Sequence, residues 1–257
     1  MQITTELVKE LRDKTGISVM QCRKALEESM GDMEKAVAIL KKNSSALAEK
    51  KMDRDAKDGA VAVKIEGSKA ILVALHCETD FVSKNEDFIN LLNSLVEKAF
   101  QNGIESMRTE AKDMIDPIIQ KTGEKIELGE CFEIQNEVLG SYVHSGKKAV
   151  IVSLAGGSTE LARDIAMHVA AMRPEYIKAE EIDEKARAVM QEIFEKEVAA
   201  IDKPAEIKQK MLEGKINTYF KEKTLVEQLF IKDGDMTVGA LLAKNSASIK
   251  EVKTYFI

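Results

Sequence analysis

The sequence contains one succession of patterns twice, and this repeat constrains the fold more than any other feature. In each copy a strand, a glycine turn and a nearly continuous apolar strand precede a loop and an amphipathic helix. The apolar strands cover residues 70–75 and 149–154, and such unbroken runs are typical of strands covered on both faces. Two hairpin-helix copies, together with further helices, predict an α+β fold with a duplicated core.

The loops of the two copies differ, which indicates that one of them carries function. The first loop, residues 79–82, contains Asp80 and Phe81, whereas the second, residues 155–158, has no aromatic side chain. A side chain that only one copy of a scaffold has is a candidate for contact with a partner. An aromatic ring beside a carboxylate, where a strand turns into a helix, suits insertion into another protein surface better than holding a small substrate.

Two interpretations of Phe81 are open from the residues alone. Ser83 and Glu86 match a capping box, which would make Ser83 the N-cap of the following helix. The hydrophobic staple would then pair Val82 with Asp87, so it fails and leaves Phe81 without a local partner. Alternatively, Phe81 extends the buried stripe of that helix, since it lies two helical turns before the first apolar residue of the stripe.

The N-terminal segment, residues 1–45, predicts three short helices with capping residues before the second and the third. The turn between the first two carries Ile17, Val19 and Met20, more apolar side chains than three small helices bury easily. Either all of them pack inside, or they form an apolar knob that docks onto a helix of a partner. Residues 44–58 follow with alternating charges and no bulky stripe, which predicts a solvated helical or flexible linker.

Two further helical segments are predicted. Pro117 lies inside an amphipathic helical pattern, where it should kink the helix or mark its true start, with Asp116 as the cap. Residues 180–223 have the pattern of two charged amphipathic helices broken at residues 202–204, which predicts an antiparallel coiled-coil hairpin inserted in the core. This hairpin is either a structural excursion or an arm for oligomerisation or docking.

The remaining strands complete the predicted organisation. Short strands are expected around residues 126–128 and 131–134, and the chain returns to sheet over 225–231, with a short helix from Val238 and a final strand over 249–256. The predicted domains are 1–54 for the bundle and linker, 55–138 for the first core subdomain, 139–179 and 224–257 for the second, and 180–223 for the hairpin.

Composition and motifs exclude several classes of function. The 257-residue chain has a net charge of −6, which argues against nucleic acid as a direct partner because phosphate contacts need a basic face. No apolar run approaches the roughly 20 residues that span a membrane, and the N-terminus lacks a signal-peptide pattern, so we expect a cytoplasmic protein. The scattered cysteines and histidines predict no metal site, no cofactor and no catalytic residues. An enzyme that uses His76, Glu78 and Asp80 lacks a nearby nucleophile or phosphate cradle.

Several motifs together resemble the bacterial elongation factor Ts family, the guanine-nucleotide exchange factors of elongation factor Tu. They occur in the family's order and span nearly the whole chain. They are residues 7–12 with Thr15 and Gly16, residues 22–26, residues 79–82, residues 140–144 and residues 165–171. The N-terminal segment also resembles a ubiquitin-associated (UBA) three-helix bundle, through the glycine turn after its first helix and residues 31–37 at the start of its third.

The resemblance implies a division of labour. The bundle would bind the G domain of elongation factor Tu, and the loop of residues 79–82 would lie against that domain. There Phe81 would wedge between helices and displace the magnesium that holds GDP. The residues expected to contact the partner are Val19, Met20, Thr79, Asp80, Phe81, Val82 and His144.

The resemblance leaves the assembly open. The chain would bind elongation factor Tu both with GDP and without nucleotide, as a pair or as a heterotetramer, and a homo-oligomer is also possible. From another functional class, the alternative is an adaptor that assembles proteins through the bundle and the helical arm without exchanging nucleotide.

Overall fold

The computed structural model describes residues 3–257, which form ten α-helices and eight β-strands. The helices are α1 (Thr5–Thr15), α2 (Val19–Glu28), α3 (Met33–Lys50), α4 (Asp80–Ser83), α5 (Glu86–Asn102), α6 (Ile104–Thr122), α7 (Thr159–Met172), α8 (Glu184–Ala199), α9 (Ala205–Lys223) and α10 (Val238–Lys244). The strands are β1 (Asp58–Glu66), β2 (Lys69–Cys77), β3 (Ile126–Gln135), β4 (Val138–His144), β5 (Lys148–Ala155), β6 (Leu229–Phe230), β7 (Asp233–Thr237) and β8 (Ser248–Phe256). Helices and small sheets occur together, so the chain has the predicted α+β class.

The chain forms two compact units. Of the described residues, the first contains those from Ile3 to Gln135 together with Val143–Ala149 and Tyr255–Ile257. The second contains Asn136–Tyr142 and Val150–Thr254. Among residues 3–257, no helix combines the length and the apolar content that crossing a bilayer demands.

Helices α1 to α3 begin where short polar side chains cap them. Thr4, Ser18 and Asp32 each accept a hydrogen bond from a backbone N–H of the first turn that follows. Gly16 ends α1 with a φ of 65°, the left-handed conformation that glycine adopts without a steric cost. The apolar faces of the three helices meet in a small core that includes Leu11, Leu26, Leu40 and Cys22.

The third helix is longer than the sequence pattern indicates. Helix α3 continues to Lys50, so the predicted linker starts inside it. The helical form of the predicted linker was confirmed for this part, but its full solvation was wrong at Ser44, which is buried. The Ser44 hydroxyl lies 3.0 Å from the carbonyl oxygen of Leu40 and within hydrogen-bond distance of Gln120 Oε1. Leu47 packs against the core of α5 and α6.

The first sheet has the strand order β1-β2-β3, with both pairs antiparallel. Leu72 in the central strand faces Val63 on one side and Phe132 on the other. Residues 70–75 are fully buried, as predicted for a strand covered on both faces. Helices α5 and α6 pack on this sheet, and the two short strands predicted near residues 126–134 are one strand.

Proline does not interrupt α6. The helix begins at Ile104 and continues past Pro117, so the prediction that Asp116 caps its true start was wrong. Asp116 is instead buried, where its carboxylate accepts hydrogen bonds from Ser45 Oγ at 2.6 Å and Lys112 Nζ at 2.7 Å. These bonds satisfy a charge that would otherwise be costly to bury.

The second sheet has the order β4-β5-β8, and α7 follows β5 as α5 follows β2. Gly140 lies so close to the backbone of Ala162 and Arg163 in α7 that any side chain at this position would collide with it. The final strand, β8, covers the range predicted for it. The predicted return to sheet was wrong at residues 225–227, which form a 3-10 turn before the short β6–β7 pair.

Helices α8 and α9 lie side by side and run in opposite directions. Lys208 Nζ, early in α9, donates to the carbonyl oxygen of Ala199 at the end of α8. Lys215, further along α9, pairs with Glu197, and Phe220 near its end lies under the Arg187 guanidinium at the start of α8. This succession of contacts establishes an antiparallel helical pair over the range predicted for the hairpin.

Candidate functional site

The loop after β2 folds into the short helix α4, which separates the strand from α5. Asn85, whose side chain accepts from the N–H of Asp87 at 2.9 Å, is the N-cap of α5. The capping-box prediction for Ser83 was therefore wrong, because Ser83 already belongs to α4. The Ser83 hydroxyl donates to the carbonyl oxygen of Asp80 at 3.2 Å and accepts from Lys147 Nζ at 3.0 Å.

Helix α4 turns its two apolar side chains to different surroundings. Phe81 is 83% exposed, whereas its neighbour Val82 is 9% exposed and packs in the core of the first unit. The interpretation that Phe81 extends the buried stripe of α5 was wrong, and Val82 has the buried position instead. An aromatic ring with this exposure costs free energy in water unless another surface covers it.

Thr79, the residue before α4, is held by a single carboxylate. Its backbone N–H donates to Glu124 Oε2 at 3.0 Å, and its hydroxyl donates to Glu124 Oε1 at 2.6 Å. On the other side, the Cys77 thiol donates to the Thr79 carbonyl oxygen at 3.2 Å. Burial raises the pKa of Cys77 to about 12, so the thiol keeps its proton and remains a donor.

Asp80 is exposed and pairs with Lys84 one helical turn later, with 2.7 Å between Oδ2 and Nζ. Both side chains reach water, and such a surface pair contributes little to stability. The pair can therefore open at small cost if another charge approaches. Asp80 and Phe81 form the exposed end of the loop.

The carboxylate of Glu78 is occupied by the body of the protein. It accepts from the backbone N–H of Lys125 at 2.6 Å and from Arg54 at 3.2 Å, and these bonds lower its pKa. His76 is likewise paired, through Nδ1 with the carbonyl oxygen of Asp58 and through Nε2 with the hydroxyl of Tyr255 at 2.7 Å. Two of the three side chains considered for an enzyme, His76 and Glu78, are thus hydrogen-bonded to neighbouring groups of the protein.

The turn between α1 and α2 divides its apolar residues. Ile17 is buried in the three-helix core, whereas Val19 is 52% and Met20 81% exposed in the first turn of α2. The interpretation that all three pack inside was therefore wrong for two of them. Val19 also lines a groove of about 260 Å³ whose other walls are Ile3, Thr4, Thr5, Val8, Lys9, Arg12 and Arg23.

His144 ends β4 and is exposed at a tight turn. Lys147 N–H donates to the His144 carbonyl oxygen at 3.0 Å, and Ser145 and Gly146 between them have φ values of 51° and 66°. Lys147 Nζ then reaches the carboxylate of Asp58 and the hydroxyl of Ser83. The turn that carries His144 is in this way joined to the last residue of α4.

Lys121, at the end of α6, joins the bundle to the start of α5. Its Nζ donates to Asp87 Oδ1 at 3.1 Å. The same side chain occupies the space beside Gly16 that a Cβ would need. A residue larger than glycine at this turn would displace only the flexible end of Lys121, so the left-handed φ of 65° is the main reason for glycine after α1.

Sequence reasoning missed Lys121, Glu124 and Lys147, the polar side chains that connect the predicted site residues. Each lies in or beside a turn, and nothing in its own sequence context distinguishes it from an ordinary surface charge. The turn glycines Gly123 and Gly146 were the available signal, since they mark places where the chain reverses. Among residues 3–257, no cluster of three or more His, Cys, Asp or Glu side chains could hold a metal ion.

Comparison with known proteins gives a consistent result over nearly the whole chain. A family model described as Elongation factor TS matches residues 78–257. Elongation factor Ts of Hahella chejuensis is 38% identical over 98% of this chain and 91% of its own length. The proteins of the same name from Teredinibacter turnerae and Pseudomonas fluorescens are 41% and 39% identical, over 97% and 96% of this chain and 88% of their own lengths. With similarity at this level from end to end, the chain belongs to the elongation factor Ts family.

Proposed function

We propose that this protein binds elongation factor Tu in its GDP-bound form and promotes release of GDP. The observation that carries the proposal is the opposite placement of two neighbouring side chains, with Phe81 83% exposed and Val82 anchored in the core. A ring presented in this way on a loop with fixed ends can enter a second protein without a rearrangement of the loop.

The thermodynamic basis is reciprocal coupling. A factor that binds nucleotide-free elongation factor Tu more tightly than the GDP complex must weaken GDP binding by the same ratio. Burying the Phe81 side chain contributes about 1.5–3 kcal/mol toward that preference, provided that its pocket opens only when nucleotide and metal leave. Exchange by coupled binding makes no covalent bond. The protein would therefore need no catalytic residue or cofactor of its own.

Magnesium enters this account as part of the partner's nucleotide site. The bound metal is often the largest local charge in such a site, and its loss loosens the phosphates. Phe81 would wedge between helices of the partner and displace the magnesium, and Asp80 would bring a carboxylate to the same region. The exposed pair of Asp80 with Lys84 is compatible with this, because it can open at small cost.

The other predicted contacts would hold the factor on its partner. Val19 and Met20 project from the start of α2 and would dock the UBA-like bundle onto the G domain, with Thr79 beside the inserted loop. His144 would contact the partner from the turn that Lys147 joins to α4. Val82 would support the interface indirectly, because its buried side chain anchors the loop in the core of the first unit.

The remaining parts of the proposal follow from the family. The four predicted domains would separate docking from exchange, with α8 and α9 as a coiled-coil arm, and the protein would work in the cytoplasm with elongation factor Tu as its partner. Its complex would be a pair or a heterotetramer.

The test is the rate at which a fluorescent GDP analogue leaves elongation factor Tu in stopped-flow measurements. Adding this protein with excess unlabelled GDP is expected to accelerate release, and excess magnesium is expected to oppose it. The adaptor alternative predicts binding without any change in the release rate. Equal rates with and without the protein, in samples where a pull-down detects the complex, would exclude exchange and leave the adaptor.

A further inference from the structure

The first and last parts of the exposed loop are fixed by side chains that come from elsewhere in the first unit. Helix α4 has only four residues, too few for its own backbone hydrogen bonds to hold it. Its orientation therefore depends on Val82 in the core, on Lys147 at Ser83 and on Glu124 at Thr79. Of these contacts, the one made by Glu124 lies directly before Asp80 and Phe81.

The contact of Glu124 with Thr79 is unusually specific. Both carboxylate oxygens are used, one for the backbone N–H at 3.0 Å and one for the hydroxyl at 2.6 Å. Two bonds from one rigid carboxylate fix both the position and the rotation of Thr79, and bonds to a charged acceptor are stronger than neutral ones. The hydroxyl that normally caps a helix is here directed away from α4 and toward Glu124.

The turn that carries Glu124 is itself fixed. Gly123 has a φ of 73°, and its carbonyl oxygen accepts from Lys51 Nζ. The neighbouring Lys125 donates its N–H to Glu78 at 2.6 Å, so two consecutive residues of the turn hold Glu78 and Thr79, the two residues between β2 and α4. Residues 123–125 thus form a rigid support for the loop.

We propose that Glu124 is a positioning residue for nucleotide exchange, which orients Thr79 so that α4 presents Phe81 to the partner. Glu124 itself touches neither nucleotide nor metal in this account, and it acts only through Phe81. The proposal rests on the proposed exchange function, and it adds a residue in a different segment, 45 positions along the chain from Thr79.

The mechanism makes a distinct kinetic prediction. Without the carboxylate, α4 samples orientations in which Phe81 points elsewhere, and only the competent fraction drives release. The bundle still docks through α2, so the factor concentration for half-maximal effect changes little. The maximal release rate at saturating factor falls in Glu124→Ala by roughly tenfold, the change expected when an oriented charge-assisted contact is lost.

A conservative variant separates positioning from charge. In Glu124→Gln the amide oxygen accepts from the Thr79 N–H, and the amide nitrogen donates to a rotated Thr79 hydroxyl. The glutamine keeps both contacts and is expected to restore the maximal rate to within about threefold of wild type, since only the charge assistance is lost. Glu124→Asp keeps the charge but is one methylene too short, and it is expected to behave like Glu124→Ala.

A double-mutant cycle tests whether Glu124 acts through Phe81. Phe81→Ala alone lowers the maximal rate, and adding Glu124→Ala to it is expected to change that rate no further. Glu127→Ala is the matched control, because Glu127 is an exposed carboxylate of the same segment, and among residues 3–257 its ion pair is with Lys125. It is expected to keep the wild-type rate.

The results that decide are these. A wild-type maximal rate in Glu124→Ala would overturn the proposal, and so would additive losses in the double-mutant cycle. If the alanine variant fails to fold, a wild-type maximal rate in Glu124→Asp would overturn it instead. Urea unfolding of each variant establishes that the folded protein was assayed. Failure of the exchange proposal itself is distinguishable, because the wild-type protein would then not accelerate GDP release at all.

Discussion

At the scale of single residues, Phe81 and Val82 make opposite contributions. Val82 packs in the core of α5 and β2, so Val82→Ala is expected to lower the free energy of unfolding by about 1.5–3 kcal/mol. Phe81 is 83% exposed, and Phe81→Ala is expected to stay within about 0.5 kcal/mol of wild type. Urea unfolding followed by circular dichroism measures both. A loss in Phe81→Ala as large as that in Val82→Ala would mean that the ring is buried in solution.

The sequence alone did not decide which of Phe81 and Val82 is buried. The failed staple correctly left Phe81 without a local helical partner, but it assumed that Ser83 begins α5. The real N-cap is Asn85, and the residues between form a separate short helix. A four-residue helix has too few residues for a hydrophobic period, so its exposed and buried sides became visible only in three dimensions.

At the scale of elements, two glycines with different surroundings give a matched test of packing. Gly140 in β4 lies against the backbone of α7, so Gly140→Ala is expected to destabilise the protein by about 1–3 kcal/mol. Gly214 lies inside α9 with open space around it, so Gly214→Ala is expected to raise the free energy of unfolding by about 0.5–1 kcal/mol. Thermal unfolding of the two variants measures the loss of stability at position 140 and the gain at position 214. If both substitutions changed stability in the same direction and by the same amount, contact with α7 would not be the reason for glycine at position 140.

Helix α7 also contains a buried histidine that makes the second unit sensitive to acid. His168 Nδ1 accepts from the N–H of Ile231 at 3.3 Å, so Nε2 carries the proton and donates to Gln228 at 2.9 Å. Burial lowers the pKa of His168 below its ordinary value of 6.5. The folded state therefore binds fewer protons than the unfolded state at mildly acidic pH. The stability that neutral His168 contributes is complete above pH 6.5 and is lost as the pH falls below it toward the folded pKa.

The corresponding measurement compares urea midpoints at about pH 7.5 and about pH 5.5, a range that keeps most carboxylates ionised. Wild type is expected to lose stability across this range, and His168→Gln, which cannot titrate, is expected to lose less. The same pH dependence in both proteins would show that His168 is not the group responsible.

The types of helices and strands were more predictable from the sequence than the side-chain contacts between them. The duplicated hairpin and helix, the paired helices α8 and α9 and the last strand follow from hydrophobic period, which is a local property. Asp116, beside Pro117 in α6, is buried and accepts from Ser45 of α3, a contact that its local sequence does not show. The same holds for Glu124 and Lys147, whose importance comes from what they touch across long stretches of chain.

At the scale of the whole molecule, docking and exchange are expected to separate kinetically. Met20→Asp places a charge on the proposed docking surface and should raise the factor concentration for half-maximal GDP release by roughly tenfold or more, with the maximal rate unchanged. Met30→Asp is the control, since Met30 is 80% exposed in the same bundle and has no proposed contact. Titrations of release rate against factor concentration measure both parameters. A lower maximal rate in Met20→Asp at an unchanged half-maximal concentration would contradict the division of labour.

The most direct test of the central claim is the maximal rate of GDP release from elongation factor Tu at saturating Phe81→Ala. If the Phe81 ring enters the partner, removing it loses about 1.5–3 kcal/mol of burial free energy. The maximal rate of GDP release then falls by about tenfold or more, while the complex still forms. A Phe81→Ala protein that is folded, saturating and as fast as wild type would contradict the account.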